Sequence, residues 1–537
     1  MRTRQRASSV LMLIAVGVIA LVFAAGQALR GTEDGSVSIT VLDDDTGERT
    51  PVRIRITDEN GHSTPLPEQA IGVMYGMWDH ADGFGYQPDS SFYVDGFFEF
   101  EAAPGIYHMT IAKGSEFLEI RDTLRLDREI AREYRLERWI DTAELGWYSA
   151  DDHIHIRRSP REDPLVLDWI RAEDIRIGNM LRMGDFWAKY YSQYAFGRQG
   201  AYRDRGYMLV SGQEDPRTPE IGHLIGLGAS EFVRFPDRYY LYDLVLDSLR
   251  ASGGVGGYAH QAETFHGYRG LTLDGLRGKV DVLEIVQFCA PGGPLITEHY
   301  YNLLNLGIPI TATAGSDFPW CGLPHDGTGE IPVHENARIG NARFYVHITG
   351  ELDYDSFVEA IRSGRTFAGS GPVLLLEVNG RKPGTFLDVE PGADIRISAT
   401  AYGHADQVPL ELLEIVRHGD VIASASADDA GQSPEMIDLE LVLEAENGMW
   451  IAARTNAGPM QVAHTTPVYI SVDRDGFHSH AALDSLLRQS EENLSDLEQL
   501  LSEPHDHVEH QAWRYRDALL ERIDSTRGVI QRMRTLE

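Results

Sequence analysis

Cysteine is nearly absent from this sequence: Cys289 and Cys321 are the two among 537 residues. They allow one disulfide or two small buried thiols, but they exclude a disulfide-rich scaffold and a cysteine-based structural zinc site. Basic residues are also scarce, with 48 Lys and Arg against 82 Asp and Glu, which gives a formal net charge of −34. Because so acidic a surface repels phosphate backbones, we expect no nucleic-acid partner.

Long apolar runs are lacking except at the N-terminus. Residues 10–25 read VLMLIAVGVIALVFAA, follow three arginines and precede small residues that form a cleavage point near Ala28. This pattern is typical of a secretory signal peptide, and the run is slightly short for an uncleaved membrane anchor. We therefore predict that residues 1–30 are a signal peptide or an N-terminal anchor, and that the rest is exported to the periplasm or the extracellular space.

The chain is too long for one core, and its patterning predicts several units. Alternating β-type patterns with turn residues cover 36–137 and 372–473, which predicts two β-sandwiches, the first resembling carboxypeptidase-regulatory-like domains. Residues 140–370 alternate short β-like runs with helix-like stretches, which predicts a parallel β/α barrel. Leucines spaced by three and four residues in 479–537 predict a helical hairpin broken at EPHDH. We expect this hairpin to pack on the body or on a second copy in a homodimer.

The stretch GWYSADDHIHIRRSP contains two histidines one residue apart. Alternate side chains of a strand share a face, so His153 and His155 project together. A single buried histidine is commonly a hydrogen-bonded core residue. Two on one face, with Asp151 just before them, are better explained as metal ligands with a carboxylate that orients them.

Further ligand-type residues lie at the ends of other short apolar runs. Glu214, His260 and Asp317 each follow such a run, and His223 opens one. In a barrel these ends meet at one mouth. Six oxygen and nitrogen ligands without a thiolate are typical of a multinuclear catalytic site for Zn, Mn or Fe.

These motifs, in this order, resemble the PHP (polymerase and histidinol phosphatase) superfamily. GWYSADDHIH, SGQE…GHLIGLG, GYAH, YYNLLNLGIPITATAGSD and GRTFAGSGPVLLLEVNG are similar to segments of the CehA/McbA metallohydrolases, which include carbaryl hydrolases. The resemblance covers about 140–473. It implies a PHP-type distorted β/α barrel and a metal-dependent hydrolase that cleaves an ester, carbamate or amide bond in a small molecule.

The resemblance also implies roles for the ligands, which divide between two divalent ions. His153 and His155 would bind the first ion with Asp317, and Glu214 would bridge to a second ion held by His223 and His260. A hydroxide activated by both ions would be the nucleophile. Glu214 and Asp317 would be the catalytic carboxylates, and Asp317 would pass the nucleophile's proton to the leaving group.

Two departures from the family pattern matter. PHP proteins usually carry D-L-H-x-H, where this chain has Asp152 in place of the leucine, and many end in D-x-H, where it has Asp317-Phe318-Pro319. The missing histidine favours two metals over three and makes phosphoester chemistry less certain. A PHP-type phosphoesterase remains an alternative. A non-catalytic surface binding protein with a residual metal site is another.

Four polar residues near the expected mouth are candidate substrate contacts. Arg157 could clamp an anionic group or pair with a surface carboxylate, and Asp185 and Lys189 lie in the aromatic-rich stretch RMGDFWAKYY. His266 could act as an acid or base, although an exposed loop is the ordinary place for such a histidine.

Overall fold

The computed structural model describes residues 35–72, 89–289, 293–320, 338–502 and 511–535. They form a mixed α/β fold made mostly of strands, with a curled central sheet and a C-terminal pair of helices. The predicted signal peptide or anchor, Cys321 and the EPHDH break lie outside the described residues. Within those ranges, no helix has the length and apolarity needed to span a membrane.

The first strands are β1 (Gly35–Asp43), β2 (Val52–Asp58), β3 (Ser91–Val94), β4 (Phe97–Ala102), β5 (Gly105–Ala112), β6 (Ile120–Leu126) and β7 (Ile130–Leu136). The middle strands are β8 (Trp147–Ile154), β9 (Ile177–Gly184), β10 (Lys189–Tyr190), β11 (Tyr202–Asp204), β12 (Tyr207–Thr218), β13 (Gly222–Leu227), β14 (Val255–Tyr258), β15 (Val282–Val286), β16 (Thr311–Ala314), β17 (Arg343–His347) and β18 (Thr366–Gly369). The last strands are β19 (Val373–Val378), β20 (Phe386–Val389), β21 (Asp394–Tyr402), β22 (Leu412–Arg417), β23 (Asp420–Ser426), β24 (Met436–Glu444), β25 (Met449–Asn456), β26 (Val462–Thr465) and β27 (Val468–Val472). The helices are α1 (Asp163–Ala172), α2 (Gly197–Gly200), α3 (Tyr242–Ala251), α4 (Gly267–Gly275), α5 (Glu298–Asn305), α6 (Tyr354–Arg362), α7 (Leu483–Ser502) and α8 (Arg516–Met533).

The N-terminal strands form two sheets around one apolar cluster. One sheet has the order β4-β1-β7 and the other β3-β2-β5-β6. In β1 the alternation predicted from the sequence places Val37, Ile39 and Val41 inside, and both sheets contribute to the same cluster. This arrangement is compatible with the β-sandwich predicted for 36–137.

The central sheet carries the segments that hold the predicted ligands. Strands β8, β9 and β12 are neighbours and parallel, as are β14, β15 and β16. Beyond β16, Phe318 forms a parallel bridge with Ile154, so the sheet curls until its two ends meet. The strands and the helices α1, α3 and α5 lie where the strand–helix alternation of the sequence predicts them.

The predicted parallel β/α arrangement does not extend to β13, which runs antiparallel to both neighbours, or to β17, which runs antiparallel to β8 and β18. Only residues 219–221 separate β12 from β13, and a parallel crossover needs a dozen or more residues. The reversal pairs Arg217 with His223. It therefore brings the start of β13 to the same edge as the end of β12.

The C-terminal strands are not separate from the central sheet. Strand β26 pairs with β18, and β25, β22, β23, β27 and β20 continue from it, whereas β19, β21 and β24 form a sheet of their own. Trp147, Tyr345 and Phe367 share an apolar cluster with side chains from these strands. The unit predicted for 372–473 is thus joined to the sheet by backbone hydrogen bonds as well as by packing.

The predicted C-terminal helical hairpin is confirmed as the helix pair α7 and α8. Leucines of its spaced pattern, such as Leu487, Leu494 and Leu497, are buried. Asp496 accepts hydrogen bonds from Tyr268 and Arg269, each at 2.6 Å, which anchors α7 on α4. The pair therefore packs on the body of its own chain.

Candidate metal centre

The six predicted ligand side chains lie together at one edge of the curled sheet. His153, His155, Glu214, His223, His260 and Asp317 are each at most 6% exposed. They come from β8 and the residue directly after it, from β12 and β13, and from the segments that follow β14 and β16. Histidine and carboxylate atoms from these elements approach one another within 4.8 Å in several groups, and each such group could hold a metal ion.

Asp317 lies between two sets of histidines. His153 and His155, at the end of β8, are on one side, and His260, which follows β14, is on the other. The Oδ1 of Asp317 is 3.1 Å from His155 Nε2 and 3.3 Å from His153 Nε2. Its Oδ2 is 3.2 Å from His260 Nε2. Its carboxylate therefore faces both halves of the predicted site, not only the first ion that the resemblance assigns to it.

Glu214 occupies the opposite side of the cluster. Its Oε1 is 2.7 Å from His223 Nδ1 and 3.9 Å from His260 Nε2, and its Oε2 is 3.5 Å from His155 Nε2. Groups of ligand atoms formed by Glu214 with His153 and His155, and by Glu214 with His223 and His260, both lie within 4.8 Å. Glu214 thus belongs to two of the groups that could hold a metal ion.

Several nitrogens of the cluster are buried without a hydrogen-bond partner. They are Nε2 of His153, both ring nitrogens of His155 and Nε2 of His260. Buried polar atoms in folded proteins are nearly always paired, so unpaired nitrogens directed at carboxylates need an explanation. A bound cation satisfies them, and the donor set of imidazoles and carboxylates suits Zn, Mn or Fe.

The electrostatics of the cluster favour a cation. Burial opposes ionisation of Glu214, but Arg217 and His223 hold the pKa of its carboxyl well below its usual range. Burial likewise opposes ionisation of Asp317, yet His153 is the main group that lowers its pKa. Burial also opposes a charge on His153, whereas nearby carboxylates raise its pKa well above normal. This negative environment stabilises positive charge, whether a proton or a metal ion carries it.

His223 and His155 are held in the neutral form that coordinates metals. Burial and the positive charge of Arg217 lower the pKa of His223 to about 3, and burial lowers the pKa of His155. Because a metal competes with protons for imidazole nitrogens, a low pKa removes that competition at neutral pH.

Glu284, in the centre of β15, is a functional residue that the sequence analysis missed. Its Oε1 lies 2.6 Å from His153 Nδ1, and its Oε2 accepts the backbone N–H of His260 at 2.7 Å. A carboxylate on the second ring nitrogen of a metal-binding histidine fixes its tautomer and orientation. The available signal was a charged residue in the middle of the apolar run VDVLEIV.

Asp151, predicted to orient a histidine ring, instead fixes the backbone around the ligands. Its Oδ1 accepts the N–H of His153 and of Ser316, both at 3.0 Å, and its Oδ2 accepts the N–H of Gly340 at 2.8 Å. Burial raises the pKa of Asp151 to about 6 despite these hydrogen bonds. Its contacts tie β8 to the segment that carries Asp317.

Arg217 is the second residue that the sequence analysis missed. Its Nε is 2.9 Å from Glu214 Oε2 and 3.3 Å from His223 Nδ1. Its side chain is 23% exposed and lines a cavity of about 280 Å³ beside the cluster. Among the described residues, no hydrogen-bond partner is present for its two Nη atoms, so they are available to a ligand in that cavity.

Two of the six ligands have a strained backbone. His260 and Asp317 have φ of 53° and 48°, in the left-handed region that residues with a side chain rarely adopt. Phe265, which follows in the same segment and stacks on His223 with ring centroids 4.0 Å apart, has φ of 55°. Such conformations cost about 1–3 kcal/mol each and are concentrated at functional sites.

Cys289 borders the cluster but is not a thiolate ligand. It is disulfide-bonded, and Cys321 is the chain's other cysteine. Its Sγ lies 3.3 Å from Asp317 Oδ2. A disulfide sulfur carries neither a proton nor a negative charge, so this contact is not a hydrogen bond and adds no ligand.

The four candidate substrate contacts have different positions. Asp185 lines the 280 Å³ cavity, but its carboxylate is occupied by the N–H groups of the 187–188 turn and by Tyr190. Arg157 Nη2 lies 3.7 Å from Glu162 Oε1, and the side chain of Lys189 is exposed on β10. His266 is exposed, with Nδ1 2.9 Å from the carbonyl oxygen of Pro219. Arg157, Lys189 and His266 do not line that cavity.

Comparison with known proteins does not assign a family. No family model and no curated protein matches the chain. Among solved structures, the sulfur carrier protein SoxY from Chlorobium limicola f thiosulfatophilum matches 18% of this chain and 77% of its own, with 12% identity and a TM-score of 0.14. A beta-glucosidase from Listeria innocua, in complex with gluconolactone, matches 38% of this chain and 37% of its own, with 9% identity and a TM-score of 0.14. Similarities this weak carry no argument about fold or function.

Proposed function

We propose that this chain is an exported metal-dependent hydrolase of the PHP superfamily, similar to the CehA/McbA family. Its curled sheet would be the PHP-type barrel, and its reaction would be hydrolysis of an ester, carbamate or amide bond. One observation carries the proposal: six residues spread over more than 160 positions meet in a buried cluster that contains unpaired nitrogens. Random burial of polar residues does not produce such a cluster, because unpaired buried groups destabilise a fold.

The residues present fit two divalent ions. His153, His155 and Asp317 would hold one ion, and His223 and His260 would hold the other, with Glu214 in reach of both. When bound, the two ions supply Lewis acidity and make water a nucleophile at neutral pH.

The protein side chains would orient the ligands and move the proton. Glu284 sets the tautomer of His153, which leaves Nε2 directed at Asp317. Asp317 is ionised and faces both sets of histidines, so we assign to it the transfer of a proton from the nucleophile to the leaving group.

The cavity beside the cluster indicates the kind of substrate. Its lining includes Phe186, Trp187, Tyr240 and Phe265, and Arg217 is the one cationic residue among the described residues that line it. A site for a phosphoester would need more positive charge directed at the metals, so an aromatic lining favours neutral esters, carbamates or amides. A phosphoesterase is the second candidate, because the Nη groups of Arg217 have no partner among the described residues and could donate to a phosphoryl oxygen.

A panel of nitrophenyl acetate, carbamate and phosphate substrates, assayed with added Mn²⁺ or Zn²⁺, tests the proposal. We expect turnover of the acetate or carbamate that His153→Ala and Glu214→Gln abolish together with metal content. His480→Ala, on the exposed surface, is the matched control and should retain both. Metal without turnover of any substrate would favour a non-catalytic binding protein. Unchanged turnover and metal content in the His153 variant would rule out this centre.

A further inference from the structure

A second cavity, separate from the six ligands, lies where three parts of the chain meet. It has a volume of about 260 Å³. Its lining includes Arg53 of β2, Glu173 after α1 and residues of the segment 338–343 before and at the start of β17, with Ser370 after β18 and residues 460–461 between β25 and β26. Junctions between structural units are common locations for ligand sites.

The cavity concentrates positive charge in a strongly acidic chain. Among the described residues, the charged ones in its lining are Arg53, Arg338, Arg343 and Glu173, three guanidinium groups and one carboxylate with a net charge of +2. Glu173 is already engaged, because its Oε1 accepts hydrogen bonds from Arg53 Nε and Tyr93 Oη, both at 2.7 Å. Arg53 is therefore paired with Glu173 and lies 4.0 Å from Asp89, and the described lining residues include no further carboxylate for Arg338 or Arg343.

Arg343 is buried, at 3% exposure, and incompletely paired. Its Nε donates to the carbonyl oxygen of Gly340 at 2.7 Å and its Nη2 to that of Glu173 at 3.3 Å, while its Nη1 is buried without a partner. A buried guanidinium bound only by neutral carbonyl groups retains its full charge, and its unpaired donor is unfavourable until a ligand occupies the cavity.

Arg338 is partly buried beside these groups. Its carbonyl oxygen accepts the N–H of Asn341 at 3.2 Å, but its guanidinium has no hydrogen-bond or ion-pair partner among the described residues. The positive charge of Arg53 is the main cause that lowers the pKa of Arg338, and burial adds to it. The charge of Arg53 therefore disfavours the charged form of Arg338, and an anion beside Arg338 would offset that repulsion.

We propose that this cavity binds a tetrahedral oxyanion through Arg338 and Arg343, either free phosphate or sulfate or the terminal group of a larger phosphorylated or sulfated molecule. Guanidinium groups bind such anions through paired N–H donors, and arginines from different directions match a tetrahedron better than a planar carboxylate. The cavity is larger than one phosphate ion, so it also has room for part of an attached group.

Calorimetric titration of the full chain with phosphate at constant ionic strength tests the proposal. Arg338→Gln should weaken phosphate binding at least about tenfold, as expected when one of two charged partners is removed. Arg381→Gln, an exposed arginine, is the matched control and should change affinity less than about twofold. Arg343→Gln should also weaken binding, but Arg338→Gln is the primary variant because its side chain holds no other group in place.

Two further measurements identify the ligand and the location. His223→Ala should leave the phosphate affinity unchanged, because His223 belongs to the metal centre and not to this cavity. Loss of phosphate binding in this variant would place the phosphate on the metal centre and overturn the proposal. Glycerol phosphate that binds more tightly than phosphate would indicate a larger phosphorylated ligand, and equal affinities would indicate the free ion. Equal phosphate affinity in wild type and Arg338→Gln would overturn the proposal. So would acetate binding as tightly as phosphate.

Discussion

Glu284 connects two candidate ligands through its two carboxylate oxygens. Oε1 lies 2.6 Å from His153 Nδ1, and Oε2 accepts the backbone N–H of His260 at 2.7 Å and Gln287 Nε2 at 3.2 Å. One buried side chain therefore sets both the ring orientation of His153 and the backbone position of His260. This relationship makes β15 part of the site although it supplies no predicted ligand.

Substitution of Glu284 should weaken metal binding without removing a ligand. We expect Glu284→Gln to lower affinity for Zn²⁺ by about 10–100-fold, because the amide does not hold His153 as an ionised carboxylate does. Competition with a chromophoric chelator measures this affinity. Glu435→Gln, an exposed glutamate, is the control. Equal affinities of Glu284→Gln and wild type would show that Glu284 serves only the fold.

Removal of the positive charge of Arg217 should strengthen metal binding. Its guanidinium lies against Glu214 and repels cations, so we expect Arg217→Gln to raise Zn²⁺ affinity about tenfold, or about 1.4 kcal/mol. The same chelator competition measures it, with the exposed Arg198→Gln as the control. Weaker binding in the Arg217 variant would mean that Arg217 holds Glu214 in place more than it repels the ion.

Gly340 should tolerate no side chain. Its φ is 73°, and a Cβ there would lie 2.4 Å from Ile175 Cδ1. We expect Gly340→Ala to lower the free energy of unfolding by about 3 kcal/mol or more, since left-handed strain adds to overpacking. Gly253 has φ of 90° but open space around an added Cβ. Gly253→Ala should therefore lower the free energy of unfolding by only about 1 kcal/mol. Urea unfolding compares them, and equal losses would contradict the clash.

Lys113 should make stability depend on pH. It is buried with Nζ donating to the carbonyl oxygens of Pro51 and Arg171, and burial lowers its pKa to about 7 from an ordinary 10.5. Between these values the unfolded chain binds more protons than the folded chain, so this lysine makes stability rise with pH from about 7 to about 10.5.

A variant without this amine isolates the effect. The free energy of unfolding of wild type minus that of Lys113→Met should increase from pH 7 to pH 10 in urea titrations. Lys189→Met, at an exposed lysine, is the control. A flat difference for Lys113→Met would show that its ammonium is not desolvated in the folded chain.

The candidate ligands could be predicted from the sequence because each lies next to a short apolar run. His153 and His155 follow the two-residue period of a strand, and Asp317 follows TATA of β16. Arg217 could not be found in this way. An arginine three residues after Glu214 is ordinary in so acidic a chain, and its contact with His223 depends on the pairing of β12 with β13.

Strand direction and sheet continuity were the less predictable parts of the fold. The apolar run of β13 has the same appearance whichever way it runs, and only the short link at 219–221 indicates a hairpin. The ladder between β18 and β26 joins Phe367 to Thr465, about a hundred residues apart. Local patterns do not encode such distant pairings, so the sequence predicted a separate unit where the structure has a continuation of the sheet.

Anomalous X-ray diffraction from crystals grown with Mn²⁺ or Zn²⁺ tests the central claim most directly. Our account predicts two anomalous peaks, one bound by His153, His155 and Asp317, and the other by His223 and His260, with Glu214 in contact with both. A crystal grown at saturating metal concentration would contradict it if it showed no peak among these side chains, or peaks only on surface carboxylates.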